Sequence, residues 1–335
     1  MGKRYVFWII FLLFKSSWAS VEKLTQSLTE LQTSLVTLGQ TMKNLETLSQ
    51  KNNFVYLFAH GLGGSEKQAQ FYINKKIILD EKNCFSGNGP EVKSVQLVFP
   101  LGSSEPHEQA IIAQEKVVLG QDADVDVIKT VIKKIPENAE EKNTIIGVGV
   151  SKGAATLINA AGVIQDPRLR LLVLESPFAD ANDVAARLGV ITEYIPGGKA
   201  FAGSIAGSMF NAYKRTGMQP ITSVKNIPKD VVVILMHSKQ DKLISIVHSY
   251  KLYNEFVKTG HETYLIETET GAHAGVLHGL GGKNVVRIVH AIYKKLDLPF
   301  DASLLSVDTD LKKYQPTIED IIKKEKEFAA SCVIS

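Results

Sequence analysis

Cysteine is nearly absent, with two in 335 residues, Cys84 and Cys332. That excludes a disulfide-built scaffold, and whether the two pair stays open. Surplus charge of either sign is missing too. Thirty-eight Lys and Arg face 35 Asp and Glu, and Lys3, Arg4 and Lys15 all fall within the first nineteen residues. Beyond residue 19 acids and bases balance, so no basic stripe argues for nucleic acid or an anionic membrane surface. Metal motifs are lacking as well, since no His-Glu-x-x-His and no cysteine pair at zinc spacing occurs. The acidic stretch Asp122-Ala123-Asp124-Val125-Asp126 starts like a calcium loop. However, Val127 stands where that loop needs glycine and Lys133 where it needs glutamate. It reads as the acidic first turn of a helix. Gly147-Val148-Gly149 is not completed to a dinucleotide fingerprint, and the glycines from Gly61 to Gly64 lack the Gly-Lys-Ser/Thr of a phosphate loop. No cofactor and no metal are expected.

What is present is an ordinary globular composition, 44% hydrophobic and 22% charged, in a chain long enough to bury a large core. The first nineteen residues stand apart. A basic start, Gly2-Lys3-Arg4, precedes an apolar run from Tyr5 to Phe14, and Ser17-Trp18-Ala19 offers small residues at a cleavage site. The run is short of the ~20 residues that span a bilayer, so an export signal over 1–19 is the expectation, with an uncleaved membrane anchor as the alternative. Residues 20–50 form a second region. Val21, Leu28, Leu35 and Met42 recur every seven residues, as do Leu24, Leu31, Leu38 and Leu45. This is an a/d heptad stripe. A coiled coil that joins copies of the chain into a homo-oligomer and an amphipathic helix lying on its own domain both remain open.

From residue 51 to about 300 the pattern is α/β. Short β-rich runs at Phe54–Ala59, Val95–Phe99, Thr144–Val148, Leu169–Leu174, Val231–Met236 and Thr263–Glu267 alternate with helical stretches near 66–80, 121–135, 152–164, 246–258 and 284–296. Six strands alternating with helices predict a mostly parallel sheet with helices on both faces. Residues 178–228, rich in Ala and Gly, predict a small helical cap insertion. Residues 301–335 form a tail with a charged amphipathic helix at Thr317–Ala330. The third run leads into Gly149-Val150-Ser151-Lys152-Gly153, followed by the small residues of a closely packed helix. A serine on so tight a strand-to-helix turn needs neighbours without bulk, and Gly149 and Gly153 supply them.

Three further pieces follow or precede this turn. His60-Gly61-Leu62-Gly63-Gly64 comes after the first strand, Asp241 ends His237-Ser238-Lys239-Gln240-Asp241 after the fifth, and His273 sits in Gly271-Ala272-His273 after the sixth. As a set they resemble the α/β-hydrolase superfamily over residues 53 to 297. The resemblance implies Ser151 as nucleophile, His273 as general base and Asp241 as its orienting acid, in the order Ser, Asp, His. It assigns the oxyanion hole to the backbone N–H groups of Lys152 and Leu62, with His60, Gly61, Gly149 and Gly153 shaping the site. Ser238 departs from the pattern, since glycine is common there. Glu175 and Asp180 are rival acids, and His278 is a rival histidine.

The chemistry explains these residue types. A neutral serine hydroxyl is a poor nucleophile, so an imidazole must take its proton and a carboxylate must fix the imidazole tautomer. The expectation is therefore an exported serine hydrolase, similar to esterase, thioesterase and peptidase-like members. It would cleave an ester, thioester or amide of a small-molecule or peptide acyl substrate, most simply a carboxylic ester. An acyltransferase and a non-catalytic partner-binding module on the same fold are the alternatives.

Overall fold

The computed structural model describes residues 54–62, 64, 66–79, 95–98, 119–135, 143–193, 214–278, 281–305 and 309–333. All belong to one compact unit, Thr47–Ser335. The expected leader (1–19), heptad helix (20–50), Cys84, Gly63 and the middle of the expected cap lie outside the described residues.

Six strands build the sheet: β1 (Phe54–Ala59), β2 (Val95–Val98), β3 (Thr144–Val150), β4 (Leu169–Glu175), β5 (Val232–Ser238) and β6 (Thr263–Thr268). Their spatial order is β2-β1-β3-β4-β5-β6, and each neighbouring pair runs parallel. Every residue of β1 and β5 is buried. Their near-continuous apolar sequence follows from this, because a parallel strand covered by helices has no wet face on which to alternate.

The helices are α1 (Glu66–Asn74), α2 (Asp122–Lys134), α3 (Lys152–Ile164), α4 (Ala181–Glu193), α5 (Pro220–Ser223), α6 (Val247–Lys258), α7 (Gly282–Lys295) and α8 (Ile318–Val333). One face of the sheet packs Tyr56, Phe58, Ile146 and Val148 against Tyr72 of α1 and Val289 and Tyr293 of α7. On the opposite face α3 crosses β1, β3 and β4, while α6 lies along β5 and β6. Gly147 marks how close that second layer comes, since a Cβ there would stand 2.8 Å from Leu172 Cδ2 and 3.4 Å from Leu157 Cδ1.

One stretch differs from the sequence reading, and another acquires a place the sequence leaves open. Helix α1 stops at Asn74 instead of running to 80, because Lys76 turns left-handed at φ 62° and the N–H groups of Ile77 and Ile78 return to Tyr72 O. This is a helix C-terminus closed by a left-handed residue, without the usual glycine to announce it. The C-terminal tail packs onto the α/β body. Helix α8 lies on α6, Tyr253 Oη donates to Pro316 O at 2.8 Å, and Lys324 pairs with Glu267 of β6.

The strand order reverses between β1 and β3, which lead outward in opposite directions. Open α/β sheets form their ligand crevice at such a switch point, beyond the carboxyl ends of the strands. Here the loop after β1 carries His60-Gly61-Leu62 and the turn after β3 carries Ser151.

Candidate active site

Ser151 adopts φ 52° and ψ −115° between β3 and α3, a conformation L residues avoid. Two contacts hold it there. Its N–H donates to Glu175 O at 2.8 Å, and its own carbonyl accepts the Ala155 N–H at 3.1 Å as α3 begins. The glycines flanking it are required by space. A Cβ on Gly149 would stand 2.6 Å from Ala154 Cα, and one on Gly153 only 2.0 Å from Ala59 O. The start of α3 thus lies directly against the end of β1. Positive φ recurs at Ser176 (48°) and Ala274 (54°), so strained positions gather around one point in the fold.

His273 projects from the loop between β6 and α7. Its Nε2 lies 2.8 Å from Ser151 Oγ, and its Nδ1 lies 2.7 Å from Asp241 Oδ2. Asp241, in the turn after β5, accepts the Leu243 and Ile244 N–H groups on Oδ1, each at 2.9 Å. Its Oδ2 also lies 3.2 Å from His237 Nε2. Burial works to raise the Asp241 carboxyl, but hydrogen bonds from His237, His273 and Ile244 outweigh it and hold the group well below the usual carboxylate range.

His237 has a role that the sequence does not announce. It is wholly buried, with Nε2 donating to Ile244 O at 2.8 Å and Nδ1 facing Ser249 Oγ at 2.7 Å. With a carbonyl and a carboxylate on one side, Nε2 carries the proton and Nδ1 accepts from the serine. A polar residue inside the apolar strand Val232–Ser238 was the available signal. Ser238, the departure from the expected pattern, donates through Oγ to Gly271 O at 2.6 Å. It fastens the histidine loop to β5, which glycine cannot do.

The rivals are placed elsewhere. Glu175 bonds to Tyr72 and to the Val276 N–H instead of the His273 ring. Asp180 accepts the N–H of Asn182 at the start of α4. His278 is exposed and stacks on Phe71, with ring centroids 4.2 Å apart.

Facing Ser151 is the loop after β1. His60 Nδ1 contacts Gly61 O at 2.9 Å, and the Gly64 N–H returns to that same carbonyl at 3.0 Å, tightening the turn that presents Leu62. Gln68 of α1 accepts the Gly61 N–H at 2.9 Å, a second contact the sequence did not disclose. Lys152 is the first residue of α3, so its N–H has no acceptor within the helix. Its ammonium lies 3.2 Å from Asp124 Oδ1, and the other oxygen of Asp124 accepts the Gly120 N–H. A cavity of about 170 Å³ opens over Ser151 and His273, walled by Leu62, Leu119, Phe178, Val184, Leu243 and Ile244.

Among the described residues no group of His, Cys, Asp and Glu is arranged to hold a metal, and no helix is long and apolar enough to cross a membrane.

No protein-family model matches the sequence, and no curated protein matches it either. Solved structures do. An esterase of Pyrococcus furiosus superposes with a TM-score of 0.52 at 15% identity, over 73% of this chain and 82% of that one. An acylaminoacyl peptidase of Pyrococcus horikoshii superposes at 0.48 and 15% identity, over 82% of this chain and 40% of that one. An alpha/beta hydrolase enzyme from a deep-sea metagenome superposes at 0.45 and 14% identity, over 73% and 90%. At such identity the likeness to the esterase speaks for architecture alone, and it agrees with the sheet order described above: this chain has the α/β-hydrolase fold.

Proposed function

We propose that this chain is a serine hydrolase that cleaves a carboxylic ester, or a related thioester or amide, through an acyl-enzyme on Ser151. The observation that carries the reading is the continuous relay Ser151 Oγ, His273, Asp241, with contacts of 2.8 and 2.7 Å. A surface histidine beside a serine would not need a buried aspartate saturated with donors behind it.

In this reading Ser151 Oγ attacks the substrate carbonyl carbon while His273 Nε2 takes the hydroxyl proton. Asp241 holds the other ring nitrogen and stabilises the imidazolium. The carbonyl oxygen becomes an oxyanion met by the backbone N–H groups of Lys152 and Leu62. Removing such a donor typically costs ~2.7–4 kcal/mol of transition-state stabilisation. Collapse breaks the bond to the leaving group, which departs with the proton held by His273. Water then repeats the sequence, releasing the acid and restoring Ser151.

The apolar cavity supports a small, uncharged acyl group. At about 170 Å³ it is smaller than the ~300–1,000 Å³ of sites for drug-sized ligands. Reaction with a fluorophosphonate probe, followed by mass spectrometry of the Ser151 peptide, tests the assignment. Labelling of wild type and none of Ser151→Ala is expected, and an unlabelled wild type would move the chain to the non-catalytic reading. A series of aryl esters should show turnover falling as the acyl chain outgrows the cavity.

Export through residues 1–19 and self-association through residues 21–48 belong to the same proposal. Light scattering on the mature chain and on a truncated chain beginning at Lys51 tests the second, and a monomer in both would refute self-association.

A further inference from the structure

Beneath the relay lies a carboxylate that the reaction above does not use. Glu175 ends β4 and is fully buried. Its Oε1 accepts the Val276 N–H at 2.9 Å, and its Oε2 accepts the Tyr72 hydroxyl. Its backbone carbonyl is the acceptor for the Ser151 N–H. Val276 lies three residues after His273, and Tyr72 lies four residues after Gln68, which holds the loop of Gly61. One residue thus joins the turn bearing the nucleophile, the loop bearing the histidine and the helix behind the oxyanion loop.

The hydrogen bonds also fix its charge. Burial pushes the Glu175 carboxyl up, while the Tyr72 hydroxyl, the Val276 N–H and nearby His273 work the other way and Asp241 adds to the rise. Burial, with Glu175 alongside, pushes the Tyr72 hydroxyl well above its ordinary range, so Tyr72 stays a donor. Both carboxyl oxygens are already accepting. A proton on either would leave one hydroxyl of the pair without an acceptor in the interior, a costly arrangement. The net result is a carboxyl raised by burial, and the two donors on its oxygens are what favour the carboxylate form at neutral pH. Tyr72 faces it from α1, His273 from the loop after β6, and Asp241 from the turn after β5.

We propose that Glu175 is a positioning residue for hydrolysis, a second carboxylate that fixes the His273 loop against Ser151 and supports the imidazolium through space. The inference rests on the serine-hydrolase reading. Asp241 supports the imidazolium by direct contact, whereas Glu175 acts without touching the ring. The charge that forms on His273 during attack is therefore met by Asp241 directly and by Glu175 through the protein interior, where such interactions are stronger than in water.

The test is steady-state hydrolysis of a short aryl ester as a function of pH, with thermal melting of each variant and Ser151→Ala alongside. Glu175→Gln should lower kcat by about tenfold to a hundredfold, as for loss of one charged interaction made in the transition state, with little change in KM. The acid limb of its kcat/KM profile should move to lower pH, because the protonated site has lost a neighbouring negative charge. Glu175→Asp keeps the charge but not the reach, so kcat should fall with the limb unmoved. Tyr72→Phe, which removes one donor, should lower kcat severalfold. A folded Glu175→Gln with wild-type kcat and an unmoved limb overturns the proposal. If that variant does not fold, Tyr72→Phe with wild-type kcat and profile overturns it. Ser151→Ala separates the two readings: residual wild-type turnover there sinks the triad itself, while an inactive Ser151→Ala beside a normal Glu175→Gln sinks only the role of Glu175.

Discussion

Ser151 stands where it does because of what its neighbours lack, whereas His273 and Asp241 are held by what theirs provide. At the elbow, Gly149 and Gly153 clear space so that α3 can start against Ala59, and among the described residues the serine side chain bonds to His273 alone. At the other arm, Asp241 is gripped by two backbone N–H groups and two imidazoles, His237 by Ser249 and Ile244, and the histidine loop by Ser238 and Glu175. Steric clearance is all or nothing, since a backbone clash has no partial solution. A polar network can lose one member and keep the rest, at the cost of an orphaned group. The two arms should therefore fail differently.

Ser151→Ala gives the largest expected effect and the cleanest. Turnover should fall by roughly 10⁶, the scale seen when a triad nucleophile is deleted, while chemical denaturation shows an intact fold. Breaking the polar arm comes next. Asp241→Asn should depress kcat by ~10⁴, because the amide favours the wrong tautomer of His273, and Glu175→Gln should be milder. The reverse ranking would transfer the orienting role to β4.

Stability should carry a pH signature from the buried histidines. Burial pulls both His248 and His290 down to about 4 from an ordinary 6.5. Between those values the unfolded chain binds protons that the native chain does not, so stability is complete above pH 6.5 and falls as pH drops towards 4. A displacement of that size corresponds to about 3 kcal/mol for each residue. Urea titrations across this range check it, and a flat stability between pH 7 and 4 would contradict the burial of both rings.

The steric arm is probed by Gly153→Ala, whose Cβ meets a backbone oxygen that cannot move aside. Destabilisation of about 1–3 kcal/mol or more is expected, with activity lost even where the variant stays folded, because the elbow must shift. Smallest of all is His278→Ala. This ring stacks on Phe71 outside the relay, so kcat should stay within about twofold and any change should fall on KM. An inactive His278→Ala would exchange the two histidines.

Much of this was legible in the chain. Each strand was marked by an apolar β-rich run, and Ser151, Asp241 and His273 were marked by where they follow those runs. The partners behind them were not. Tyr72 and Glu175 are 103 residues apart, Ser249 has nothing to set it apart from other polar helix residues, and Ser238 stands out only as a departure from the pattern, without its partner Gly271. Buried polar pairing is a property of tertiary contact, with no period to betray it. The early end of α1 was hidden for a different reason, since Lys76 takes a left-handed turn that glycine normally advertises. The rejected calcium loop, by contrast, gained a plain occupation, because Asp124 receives Lys152 and the Gly120 N–H.

The positive φ of Ser151 sets evolution and engineering at odds at a single codon. Glycine accepts that backbone region freely, whereas other L residues are disfavoured there by about 1–3 kcal/mol. A selection for heat resistance alone, blind to turnover, should accordingly favour Ser151→Gly and discard the one atom on which the proposed reaction depends. Where thermal tolerance and catalysis are selected together, that position is the last that can be improved, and gains must come from helix ends and surfaces far from the turn.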